Sequence, residues 1–126
     1  MPRFAKHFRE LEVYQASLDA AMVIFRISGS FPAEERFSMT SQMRRSSRSV
    51  CANLAEAWRK RRYAAAFVGK LSDAEGEAAE TQVWLDLAQR SRFISKDEAT
   101  QLDARYEVIL GMLVKMIDRP EKWIIR

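Results

Sequence analysis

Four stretches of the chain repeat apolar residues at alternating steps of three and four, the spacing that gathers side chains onto one face of an α-helix. In the first, Leu11, Tyr14, Leu18, Ala21, Phe25 and Ser28 form the stripe. The second carries Met39, Met43, Ser46 or Ser47, Val50, Leu54 and Ala57 or Trp58. The third, Phe67, Leu71, Ala74, Ala78, Thr81, Leu85 and Ala88, is a strict heptad seam whose alanines let a partner helix approach closely. The fourth runs through Leu102, Tyr106, Ile109, Leu113 and Met116. The pattern predicts helices over about 10–29, 38–61, 63–91 and 96–118, followed by a tail over 120–126. Short connections between them imply antiparallel neighbours, and so an all-α, up-down-up-down four-helix bundle forming a single domain over 1–126.

The breaks have local causes. Gly29-Ser30-Phe31-Pro32 cannot continue a helix, and Pro32-Ala33-Glu34-Glu35 resembles a first helical turn with its acids at the positive end. Ser95 with Glu98 three residues on is a capping box for the fourth helix, and Pro120 closes it. Trp123, Ile124 and Ile125 are too apolar for solvent, so the tail either caps its own bundle or docks on another subunit. Leu110, Ile117 and Trp84 lie beside the seams, which makes several helices apolar over more than one face and points to a subunit interface.

With 126 residues, 4 glycines and 3 prolines, the chain can bury an ordinary core without staples and is neither disordered nor turn-rich. The one cysteine, Cys51, has no internal partner and reads as a small hydrophobe. The start, MPRFAKHFRE, lacks the apolar region of a signal peptide, and the longest apolar run, Ala20 to Phe25, is too short to span a bilayer; the expectation is a cytoplasmic protein.

Charge changes the picture most. The net +4 is uneven: residues 36–62 hold eight basic groups and one acid, Glu56, whereas residues 63–90 hold two basic and five acidic groups. Steps of three, four and seven place Arg44, Arg48, Ala55, Arg59 and Arg62 close to one line, with Arg45, Lys60 and Arg61 beside it. Stacked like charges repel, and a polyanion or an acidic protein surface relieves that cost; a solvated face is the plain alternative. Gln42, Asn53 and Glu56 are assigned to a structural polar core, Asn53 setting register between helices, while Glu77 and Glu80 read as solvent-facing.

No catalytic constellation accompanies the basic stripe. His7, the single histidine, follows Arg3 near the start and has no orienting partner, so neither a di-metal bundle nor a nuclease of the Arg-to-His spacing type is expected. Ser46 and Ser47 lack a base and an oxyanion turn, and no glycine-rich phosphate loop occurs. The reading is non-enzymatic, without metal or cofactor.

Phe31-Pro32-Ala33-Glu34-Glu35, then Gln42-Met43-Arg44-Arg45, Asn53-Leu54-Ala55-Glu56, and Gly76 through Glu80-Thr81-Gln82 to Leu85 and Ala88 resemble, in that order, the four-helix bundle proteins encoded in intervening sequences of bacterial 23S ribosomal RNA genes. The likeness runs from Phe8, Leu11, Val13, Tyr14 and Gln15 to about Ile94. It implies a homopentameric ring, and kinship with the accessory variability protein of diversity-generating retroelements, which binds a reverse transcriptase and nucleic acid. Under that resemblance Arg44, Arg45, Arg48, Arg59, Lys60, Arg61 and Arg62 are candidate contacts for RNA or DNA phosphates or for an acidic partner. The chain departs from the family pattern at Ser46, Ser47, Ala57 and Glu77; Ala57 replaces a glycine, which predicts a second helix running on to Arg62 as a rod. The alternative is a purely structural bundle whose arginines pair with Glu75, Glu77, Glu80 or Asp86 of a neighbouring subunit.

Overall fold

A computed structural model of the chain describes residues 5–125, and Arg3 and Arg126 lie outside them. Four helices, α1 (Glu12–Ser28), α2 (Met39–Arg59), α3 (Ala64–Arg90) and α4 (Lys96–Asp118), pack in sequence order around one core, and α4 closes the circuit against α1. Short 3-10 turns precede α1 (Phe8–Glu10), precede α2 (Ala33–Glu35) and follow α4 (Pro120–Lys122). Between α2 and α3 the contacts run in opposite directions, Arg45 meeting Glu77 while Glu56 meets Lys70, and with short connections between all successive helices the bundle is antiparallel.

The seams of α2, α3 and α4 are buried as their spacing predicts. In α1 the stripe is displaced by one position. Val13, Ser17, Ala20, Ile24 and Ser28 face the core, with Ala21 at its edge, whereas Leu18 and Phe25 are exposed alongside Met22, which is 47% exposed. The larger side chains of α1 therefore form a second apolar stripe on its outer side. It borders a shallow groove of about 280 Å³ between α1 and α2, lined by Leu18, Ala21, Met22, Phe25, Arg48 and Cys51.

The serine and threonine hydroxyls of the core are hydrogen-bonded. The Ser46 and Thr81 hydroxyls meet at 2.8 Å between α2 and α3, and Thr81 also donates to the Glu77 carbonyl at 2.9 Å. This pair, not Asn53, ties the two helices in register. Asn53 is half-buried and donates to the carbonyl and hydroxyl of Ser49, one turn back on its own helix. Gln42 likewise lies outside the core, accepting from Arg45, and Glu56 is exposed and ion-paired with Lys70 at 3.0 Å. The side chain of Asn53 is short and finds a local backbone acceptor, which leaves it nothing to give a neighbouring helix.

Ends are closed by specific contacts. Glu35 accepts from the Ser38 hydroxyl and the Met39 amide, so an acid from the preceding turn caps α2. Ser95 and Glu98 form the expected capping box. Beyond α3, Arg92 takes a left-handed conformation (φ 65°), and the Phe93 amide reaches back to the Ala88 carbonyl at 2.9 Å, which turns Phe93 onto Phe31 with ring centroids 5.3 Å apart.

At the centre, Tyr106 is fully buried and its hydroxyl has no hydrogen-bond partner; burial, then the proximity of Cys51, pushes its pKa well above the ordinary phenol value. Tyr106→Phe removes an unsatisfied group and should raise stability by about 1 kcal/mol in urea unfolding; a loss of similar size would show that the hydroxyl is satisfied. In a double-mutant cycle, Ser46→Ala and Thr81→Val should couple by about 0.5–1.5 kcal/mol. Burial pushes the Cys51 thiol up to about 11, so thiolate forms only as pH rises toward that value. Its alkylation rate should climb about tenfold per pH unit from 7 to 10, and a plateau by pH 9 would contradict the assignment.

Candidate nucleic-acid interface

The seven basic residues of the second helix and its exit turn do not share one surface. Arg44 turns toward α1: its Nε donates to the Ser28 hydroxyl at 2.8 Å, a terminal nitrogen donates to the Phe25 carbonyl at 3.2 Å, and the guanidinium lies 4.6 Å from the Phe25 ring centroid. It thereby adds a second donor to the Phe25 carbonyl in the last turn of α1, which also accepts from the Ser28 hydroxyl at 3.2 Å. Arg45 turns the other way, to α3, donating to Glu77 at 2.8 Å and to Glu80, and also to Gln42 at 2.9 Å. Burial alone would lower its pKa, but the hydrogen bonds and charges of the two carboxylates outweigh that and raise it. Glu77 and Glu80 are thus ion-paired within the chain rather than simply solvated, though at this exposure the pairs contribute only about 0–1 kcal/mol. Arg48 projects outward at the rim of the α1–α2 groove, 6.0 Å from the Phe25 ring centroid.

The remaining four stand at the end of the bundle. The rod predicted to reach Arg62 stops at Arg59, with Lys60 as the capping residue and Arg61 and Arg62 in the turn to α3. Arg61 folds back: its Nε donates to the Trp58 carbonyl at 2.8 Å, and its guanidinium stacks 3.5 Å from the Trp58 ring centroid. Burial, then the charge of Arg59, lowers its pKa. Stacking a cation on a buried indole and satisfying a terminal carbonyl together favour the turn over another helical step. The Ile125 amide then donates to the Arg61 carbonyl at 3.0 Å, so the tail caps its own bundle.

Arg59, Lys60 and Arg62 are exposed on this turn, and no carboxylate among the described residues pairs with them. The antiparallel topology brings Arg9, from the turn before α1, and Lys122, from the turn after α4, to the same end. Their approach was invisible to a local reading of charge, because the residues are more than a hundred positions apart. Of the two aromatic residues that flank the 59–62 cluster in sequence, Trp58 is only 5% exposed and covered by Arg61, whereas Tyr63 is 69% exposed. This arrangement can present point charges to phosphates and one ring to a base.

His7 lies at this end as well, where it accepts from the Arg9 amide at 3.3 Å and caps the Phe8–Glu10 turn. Among the described residues no group of three His, Cys, Asp or Glu side chains is placed to hold a metal ion, and no helix is long and apolar enough to cross a membrane.

No functionally curated protein matches the chain. Among solved structures, a protein of unknown function from the S23 ribosomal protein family of Bacteroides thetaiotaomicron is 31% identical, with a TM-score of 0.76 over 83% of this chain and 97% of that one. The family model described as 23S rRNA-intervening sequence protein matches residues 9–115, nearly the whole bundle, and by that match the chain belongs to the 23S rRNA-intervening sequence protein family.

Proposed function

We propose that the chain is a non-enzymatic accessory protein that assembles with copies of itself and binds the phosphate backbone of RNA or DNA through the basic end of its bundle. The observation that carries this reading is the set Arg59, Lys60 and Arg62, exposed and without acidic partners among the described residues, at a turn braced by Arg61 and the tail. Arg44 and Arg45 serve the scaffold and leave the binding set; Arg48 stands apart at the α1–α2 groove. With one exposed aromatic side chain beside these cations, binding is phosphate-led and weakly sequence-specific. A homopentameric ring would repeat the basic end five times over, and a reverse transcriptase is the protein partner; both follow from the resemblance drawn on the sequence.

A second reading, a purely structural assembly, has the outer apolar stripe of α1 in its favour. Its ionic version is narrowed, because Arg45 already occupies Glu77 and Glu80 of its own chain, leaving Glu75 and Asp86.

Fluorescence anisotropy with single-stranded RNA and duplex DNA across a salt series tests the leading reading. Log affinity should fall against log salt with a slope of about −0.7 to −0.9 per phosphate neutralised. The triple variant Arg59→Glu, Lys60→Glu, Arg62→Glu should bind at least about tenfold more weakly and flatten the slope by about 2, whereas Arg45→Gln should bind like the unmodified chain. Affinity that ignores salt, or that survives the triple reversal, would sink the proposal.

A further inference from the structure

The groove between α1 and α2 is an apolar surface with a cationic rim. Leu18, Met22 and Phe25 expose their side chains along one side of α1, while Arg48 projects beside Phe25 from α2. Nothing among the described residues covers these side chains, although three bulky apolar residues at steps of four and three on one helix make the pattern by which helices bury a face.

On α3, diagonally across the bundle, a second unpartnered face shows the opposite features. Val83, 54% exposed, and Leu87 point outward opposite the inner seam, and the stripe continues toward the start of the helix through Ala79, Gly76, Ser72 and Gly69, all exposed. A Cβ built at Gly69 or Gly76 would meet nothing within 4 Å, so packing within the chain does not require either glycine. A mid-helix glycine nevertheless costs about 1 kcal/mol relative to alanine. Glu75 and Asp86 flank this stripe, and Asp86 adds to the acidity shared with Asp103 and Glu107: the Asp103 carboxyl is raised by burial first and then by those two charges, a local excess of negative charge that an incoming cation relieves.

We propose that the α1–α2 groove of one copy receives the outer face of α3 from a second copy, with Leu18, Met22 and Phe25 seated against Val83, Leu87 and the small residues beyond them, and Arg48 facing Asp86. Bulk meets small side chains, and the cationic rim meets the acidic flank, so the two faces complement each other and neither complements itself. The contact is heterologous: every copy offers one groove and one α3 face, and association continues from copy to copy until the ring closes. This rests on the self-assembly part of the function proposed above and assigns it to residues. It also gives Arg48 to the subunit contact and leaves nucleic acid to the bundle end.

Two variants at exposed positions test it, Met22→Glu in the groove and Val83→Glu on the α3 face, each first shown by circular dichroism to keep its helix content. In sedimentation velocity the unmodified chain should run as an oligomer, and each variant alone as the 14.6 kDa monomer. Mixed in equal amounts they should form a heterodimer of twice that mass, through the one groove and the one face left intact, and no larger species. Retention of the oligomer by either variant, or two monomers that fail to associate on mixing, would overturn the inference while leaving self-assembly in place. A monomeric unmodified chain at high concentration would overturn self-assembly as well. Should a variant lose its helix content, the charge swap replaces it: Arg48→Asp and Asp86→Arg should each weaken association at least about tenfold, and the two changes in one chain should restore it; no restoration counts against the contact.

Discussion

The close approach of α2 and α3 is the constraint on which the other elements depend. Ala74 and Ala78 present almost no side chain to the core, so the two backbones draw together until the Ser46 and Thr81 hydroxyls meet. A buried hydroxyl that misses its partner costs about 1–3 kcal/mol, so this contact penalises any slide of one helix along the other. Once the register is fixed, Arg45 falls opposite Glu77 and Glu80, Glu56 falls opposite Lys70, and the turn at 60–63 has a set span to cross. The helices α1 and α4 then close the remaining sides with larger residues, Ile24, Tyr106, Ile109 and Leu113.

How far this could be read from the sequence follows from how one-sided each helix is. The inner faces of α2, α3 and α4 were legible because apolar and small residues recur there at unbroken heptad-like spacing, and the capping box at Ser95 was legible because its chemistry is local. The inner face of α1 was not. Leu18 and Phe25 outweigh Ser17 and Ala20 in any sum of hydrophobicity, yet the bundle buries Ser17 and Ala20 beside Val13 and Ile24 and turns Leu18 and Phe25 outward. Both α1 and α3 carry an apolar stripe more than the bundle uses.

The basic stretch was legible as a charge density and illegible as a site. Periodicity placed Arg44 and Arg48 on a line with Arg59, but direction on a helix does not decide what the end of a long flexible side chain will find. Arg44 finds a carbonyl in the last turn of α1, Arg45 finds two carboxylates, and Arg61 finds an indole and the carbonyl above it. None of these partners is adjacent in sequence except in the last case. The overrun of α2 has the same origin: arginine favours helix, no glycine or proline marks the stop, and the helix ends because Arg61 has a better partner folded back than carried forward. What is left after these scaffold contacts is a smaller set of cations than the sequence displays.

The clasp between Ile125 and Arg61, with Arg9 and Lys122 gathered nearby, gives the molecule a polar axis. Because the four helix dipoles run alternately and largely cancel, that axis is set by side-chain charge alone: an excess of cations over Glu10 and Glu121 at one pole, carboxylates along α3, and mixed signs at the pole of Phe31 and Phe93. In the field of a polyanion such a body experiences a torque before it experiences contact. It arrives with its long axis already pointed at the charge, and the presented pole is the braced turn rather than the flank of any helix.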